Sequence, residues 1–232
     1  MEVQRPYIIC HMLQSIDGKV TGDFLSLNEC EEGVNIYYQI NRDLKGDAFA
    51  CGRVTMESSF TNYYYPDLSS YKGKKVGRKD YIAKYDKKFF AIAFDRKGRL
   101  GWKESTIVDE DPGYGEAHII EVLSEQVKDE YLSYLQDIGV SYIFAGKDDI
   151  DILLAVSKLY DLFGIKKLLL EGGSIINGAF NKVGIIDEVS LVVVPITGST
   201  LDKPLFYEGN VENYKLVNSK TIGQNVILNY KR

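Results

Sequence analysis

Residues 168–174 read LLLEGGS, three leucines, an acid, two glycines and a serine. The leucines have the length and apolarity of a buried strand, and Ser174 is placed to cap a helix that starts at once. Unpaired N–H groups and the positive end of a helix dipole converge at such a junction. With no β-carbon at Gly172 or Gly173, a phosphate can approach the backbone closely. Ligands in open α/β sheets collect at the carboxyl ends of strands, which is where this turn falls, although a plain tight turn would use the same two glycines. A second junction, FACGRVTMES at 49–58, repeats the arrangement with Gly52 after a strand, Arg53 beside it and Thr55 at a helix start. Arginine supplies a planar fork of donors suited to phosphate, and the threonine hydroxyl adds another. A third glycine, Gly146 in FAGKDD, borders the same cleft or closes an ordinary loop. Two strand-ending glycine turns, one carrying an arginine, suit a phosphorylated dinucleotide. No G-x-G-x-x-G follows the first strand, so this is not the Rossmann fingerprint.

The elements that must carry these turns alternate. Residues 7–13 form an apolar run of strand length, and residues 34–44 place Val34, Tyr37, Tyr38 and Leu44 at helical spacing. DAFACG reads as a second strand, FFAIAFD as a third, VSYIFAG, KKLLL and EVSLVVVPI as further ones. Helices are predicted over 122–138 with a stop at Gly139, over 148–163 with a stop at Gly164, and over 174–183 with a stop at Gly184. Strands alternating with helices need crossover connections, so the sheet should be largely parallel with helices on both faces. YKLVNSK and NVILNYKR, joined by TIGQ, alternate polar and apolar residues about a glycine and predict an antiparallel hairpin. The expectation is one domain over 1–232, a three-layer α/β/α arrangement with a mixed, mainly parallel central sheet and a C-terminal hairpin. Residues 61–86 show little periodicity and predict a long surface excursion. Eight Lys and Arg residues between positions 72 and 88 read as a solvated face.

A net charge of −5 and a pI near 5.2 supply no positive field for nucleic acid or anionic lipid. A small metabolite held by a local basic site is the expected partner. The start, MEVQRPYIIC, lacks the pattern of a secretory leader, and no run approaches a membrane span, so a soluble cytoplasmic protein is expected. Three scattered cysteines predict no disulfide framework, and two histidines leave little from which to build a metal site.

The stretches RPYIICHMLQSIDGKVTG, YLSYLQDIGVSYIFAG and LLLEGGSIINGAFNKVGIIDEVSLVVVPITG, with GRVTMES, resemble the dihydrofolate reductase superfamily. Within it they look most like the pyrimidine-reductase domain of riboflavin biosynthesis, while the region 61–118 matches poorly. The resemblance implies a dihydrofolate reductase-like fold and an NADPH-dependent reductase. Its substrate would be a ribosylaminopyrimidine 5′-phosphate, reduced at C1′ of the ribose. It implies that Gly52 and Thr55 line the cofactor cleft, that Arg53 meets the 2′-phosphate, and that Gly172, Gly173 and Ser174 hold the pyrophosphate. It also implies a homodimer, for which the apolar tail hairpin is a plausible contact.

Opening the sugar ring requires a proton. The resemblance places Asp17, in SIDGK, and Glu171 near the substrate pocket, where either could donate it or bind ribose hydroxyls. Asp17 could equally be a turn-forming Asp-Gly, and Glu171 a carboxylate favoured beside a helix start. His11 stands where many relatives have lysine. It is a candidate proton donor or a satisfied core residue. Relatives also carry Trp-Ile-Thr where this chain has FLSLNECEEGVNIYY. Folate reduction, reduction of another carbonyl or imine, and nucleotide binding without turnover are the competing readings.

Overall fold

Long apolar strands separated by amphipathic helices can bury both faces of each strand only in a crossover topology, and the computed structural model shows one. It describes residues 4–232; residues 1–3, on which part of the leader expectation rests, lie outside the described residues. The chain divides into two compact units, one formed by Asp47–Lys166 with residues 4–6, the other by Tyr7–Gly46 with Lys167–Arg232.

The first unit holds strands β2 (Ala48–Gly52), β3 (Phe90–Phe94), β4 (His118–Leu123) and β5 (Ser141–Phe144). They pair in parallel in the order β5-β4-β3-β2. Helix α2 (Arg53–Met56) follows β2, α3 (Asp129–Asp137) joins β4 to β5, and α4 (Ile152–Phe163) follows β5. Every residue of β3, β4 and β5 is buried, as strands covered on both faces require.

Two sequence expectations change here. The helix predicted over 122–138 is in fact β4 followed by α3, because the run HIIEVL is a buried strand despite its glutamate. Glu121 is accommodated in the interior by the Trp102 indole N–H, which donates to it over 2.5 Å. The helix predicted from 148 starts at Ile152, since Asp151 is its cap and accepts the Leu154 N–H at 3.0 Å. It ends as predicted at Gly164, whose φ is +68°.

Residues 62–89 contain one 3₁₀ turn, Ser69–Tyr71, and one isolated bridge, Tyr81 to Tyr142, as expected of a surface excursion. The excursion is nevertheless tied down. Arg78 donates to the carbonyls of Glu125 and Val127 and pairs with Asp129 at 2.6 Å. Asp80 accepts the Phe144 N–H and pairs with Lys158, both at 2.8 Å. Lys72, Lys74, Lys75, Lys79, Lys84 and Lys88 form the solvated face expected of the basic run.

The second unit holds β1 (Tyr7–Ser15), β6 (Lys167–Leu170), β7 (Glu188–Val194), β8 (Lys215–Ile222) and β9 (Asn225–Lys231) in the order β6-β1-β7-β9-β8, with helices α1 (Glu31–Leu44) and α5 (Ser174–Lys182). β1 pairs in parallel with β6 and β7, and the last two strands form the antiparallel hairpin expected of the tail. The apolar face of α1 packs Val34, Tyr37 and Ile40 onto Leu13, Val192 and Val194. Each such aliphatic side chain contributes about 1.5–3 kcal/mol when fully buried.

The register matters for the site. β6 pairs with β1 only from Tyr7↔Lys167 to Cys10↔Leu170, so β1 runs on past the end of β6. His11 and Met12 therefore lie beside the β6–α5 turn.

Candidate active site

In the second unit the β6–α5 turn is built as the sequence suggests. Gly172 has φ +92°, a conformation that β-carbons disfavour, and a β-carbon there would lie 3.0 Å from Met12 Cε. The Gly172–Gly173 peptide is cis. Gly173, not Ser174, is the cap residue of α5, and no side chain caps it. Ser174 is instead the first helical residue, with its buried hydroxyl donating to the Pro204 carbonyl. The expected side-chain cap is thus replaced by a tie to the segment after β7, and the first N–H groups of α5 have no side-chain cap.

That segment also reaches the end of β1. Asp17 Oδ1 accepts from the Ser15 hydroxyl at 2.6 Å and from the Gly198 N–H at 2.8 Å. The Ser15 hydroxyl, and after it the Gly198 N–H, hold the Asp17 carboxyl below its ordinary range. Asp17 is exposed and ionised at neutral pH, a good acceptor for hydroxyls and a poor proton donor. It also makes the Asp-Gly turn, with Gly18 at φ +78° and its N–H donating to Ser15 O.

Glu171 is nearly buried at the end of β6, and Asn41 of α1 donates to its Oε1 over 2.5 Å. The signal for Asn41 was present in the sequence. It is a polar residue on the same helical stripe as Val34, Tyr37 and Leu44.

His11 lies inside the protein with no exposed surface. Its Nε2 faces the Tyr37 carbonyl at 3.0 Å and its Nδ1 faces the Ser190 hydroxyl at 3.1 Å. A carbonyl can only accept, so Nε2 carries the proton and Nδ1 accepts from Ser190. The ring stacks on Tyr37 at 4.3 Å, with the two planes nearly parallel. Burial lowers the imidazole to about 4, against the smaller opposing pull of its two hydrogen bonds. Both nitrogens are occupied, and the geometry is that of a satisfied core histidine, which leaves no free nitrogen to donate a proton to a substrate.

In the first unit Gly52 ends β2 in an extended conformation and α2 begins at Arg53. The Arg53 guanidinium is bonded to the Glu57 carboxylate one helical turn on. Thr55 lies in the same short helix and is partly exposed. Beside this turn, the buried Asp95 carboxyl accepts N–H groups of Arg99, and of Leu100 at 2.8 Å, and feels the Arg53 charge. Gly146 has φ +135° and is packed so tightly that a β-carbon would collide with the Asp149 carbonyl. Its carbonyl accepts the Glu125 N–H at 3.0 Å, and the Asp151 N–H closes onto Ala145 O at 2.6 Å. This glycine serves the loop that caps α4.

Parallel strands that pass into helices through glycine turns, at Gly172 and Gly173 in one unit and at Gly52 in the other, make this an α/β protein. More narrowly, the chain belongs to the RibD C-terminal domain family, whose model matches residues 6–228. It is 25% identical over 201 residues to the 2,5-diamino-6-ribosylamino-4(3H)-pyrimidinone 5′-phosphate reductase of Aquifex aeolicus, covering 84% of this chain and 79% of that one. To the protein of the same name from Methanothermobacter thermautotrophicus it is 23% identical over 234 residues, covering 97% and 98%. The structure superposes on Acinetobacter baumannii RibD with a TM-score of 0.63 at 16% identity, covering 98% of this chain. The chain spans 58% of the length of that longer protein, and the likeness is one of fold.

Proposed function

We propose that the chain is an NADPH-dependent reductase that transfers hydride to C1′ of a ribosylaminopyrimidine 5′-phosphate in riboflavin biosynthesis. The observation that carries the cofactor part is the β6–α5 turn. Gly173, partly exposed and without a β-carbon, leaves the backbone open to approach, and the first N–H groups of α5 are left without a side-chain cap, which fits a pyrophosphate. The substrate part is supported by membership of the RibD C-terminal domain family and by relatives named for that reduction. The bound dinucleotide would supply hydride, and everything else falls to the chain.

In this reading the second unit offers Gly172, Gly173 and the backbone of Ser174 to phosphate. The first unit offers Gly52, Arg53 and Thr55 to a nucleotide, with Gly146 shaping its loop. Glu171, oriented by Asn41, is the better placed carboxylate for giving a proton to the ring oxygen as the sugar opens. Asp17, held ionised, binds ribose hydroxyls. His11 acts from the core, by fixing α1 on β1. The 232 residues work as one reductase module, in the cytoplasm and as a homodimer. β8 is exposed along nearly its whole length and ends the strand order, which suits it to such a contact.

The test is to follow the nicotinamide absorbance of NADPH with purified protein, adding the ribosylaminopyrimidine phosphate or, separately, dihydrofolate. Oxidation with the pyrimidine alone is expected. Oxidation with dihydrofolate alone, or with neither, rejects the substrate.

A further inference from the structure

Three polar side chains lie on the buried face of α5, and two of them are used. The Ser174 hydroxyl donates to Pro204 O, and Asn181 Oδ1 accepts the Asn210 N–H at 2.6 Å. The third, Asn177, has no exposed surface, and neither its Oδ1 nor its Nδ2 has a partner among the described residues. It belongs to the first turn of α5, where its own N–H donates to Gly173 O at 3.1 Å. A β-carbon on Gly172 would lie 3.5 Å from Asn177 Nδ2, beside Met12 Cε and Sδ at 3.0 and 3.1 Å, so the carboxamide and the thioether pack together against the glycine turn. Folded proteins rarely leave a buried amide unpaired, because the desolvated donor costs as much as a lost hydrogen bond. Such a group persists where another state of the protein uses it.

We propose that Asn177 is a positioning residue for a pyrophosphate group held at the amino end of α5. Its carboxamide takes up the backbone of the Gly172–Gly173 turn when an anion engages that turn's N–H groups. With an anion holding the turn, a backbone oxygen of the turn comes within reach of Nδ2, the donor that the empty turn leaves unused. The inference rests on the reading of this turn as the dinucleotide's phosphate seat, and it adds the group that makes the seat selective for an anion over water. An anion-filled turn gains a hydrogen bond that the empty turn lacks.

The experiment replaces Asn177 by leucine, which has the same branched heavy-atom skeleton and no polar atoms, and by alanine as a second variant should the leucine protein fail to fold. Thermal unfolding without ligand is compared with calorimetric binding of NADPH and of inorganic pyrophosphate. Asn177→Leu is expected to unfold at or above the wild-type temperature and to bind both ligands about tenfold more weakly, the size of one well-made hydrogen bond to a peptide oxygen. Unchanged affinity overturns the proposal, as does weaker binding that merely follows a large fall in the unliganded unfolding temperature. Should the wild type bind pyrophosphate in an Asn177-dependent way but not NADPH, the inference stands and the dinucleotide reading falls. Binding of neither ligand removes both.

Discussion

Replacing Glu121 by glutamine should make the protein more stable, and increasingly so as the pH rises. Glu121 is fully buried in β4, its Oε2 without a partner among the described residues and its Oε1 receiving the Trp102 N–H. The Tyr131 hydroxyl has one proton and faces two oxygens, Leu100 O at 2.7 Å and Glu121 Oε1 at 3.0 Å. A protonated Glu121 relieves that conflict by donating to the tyrosine oxygen. Burial above all, and then the charge of Asp95, push the Glu121 carboxyl well above its ordinary value of 4.5, outweighing the bonds from Trp102 and Tyr131.

The folded chain therefore keeps a proton that the unfolded chain releases above pH 4.5. The stabilisation is complete below that pH and drains away as the pH rises toward the folded value. Between the unfolded and the folded value the folding equilibrium loses a factor of about ten, or about 1.4 kcal/mol, per pH unit. His11 and His118, both lowered by burial to about 4, work in the opposite direction and add stability as the pH climbs from 4 to 6.5. Comparing wild type with Glu121→Gln cancels them. Glutamine keeps the shape and an acceptor for Trp102 and cannot ionise. The assay is urea unfolding at pH 5, 6 and 7 followed by fluorescence of Trp102, the single tryptophan of the chain and itself the reporter of this bond. Parallel stability profiles for the two proteins would refute the buried proton.

Arg53→Ala is expected to weaken NADPH far more than NADH, measured as separate dissociation constants; equal losses would remove Arg53 from the 2′-phosphate. Part of the effect must come from Glu57, freed of its partner, so Glu57→Gln should strengthen NADPH binding modestly. The His11 imidazole should stay neutral on nuclear magnetic resonance titration between pH 5 and 8, and a midpoint near 6.5 would contradict its burial between Tyr37 and Ser190.

Much of the framework was legible because periodicity reports burial directly. The hairpin of β8 and β9 and the stops at Gly139, Gly164 and Gly184 follow from local rules and appear where expected. β4 is not legible because Glu121 interrupts its apolar run and the helix predicted from Val122 claims its last two residues. The partners that permit the glutamate inside, Trp102 and Tyr131, are remote in sequence. Ser174 misled for a related reason, since its hydroxyl has a tertiary acceptor in Pro204 that no local pattern announces. Asn41 and Asn177 were visible only as polar residues on apolar stripes, a pattern that does not say whether the amide is paired.

The two units differ in how the chain supplies them. Between Asp47 and Lys166 the first is one continuous segment, whereas the second needs Tyr7–Gly46 to wait for Lys167–Arg232. As the polypeptide leaves the ribosome, β1 has neither of its neighbours β6 and β7 until some 160 further residues have been made. The middle of the chain can close its own parallel strands while β1 remains an apolar strand without partners. Synthesis that stops before β7 would thus release a chain with one finished unit and one sticky edge, the kind of nascent species that chaperones are there to hold.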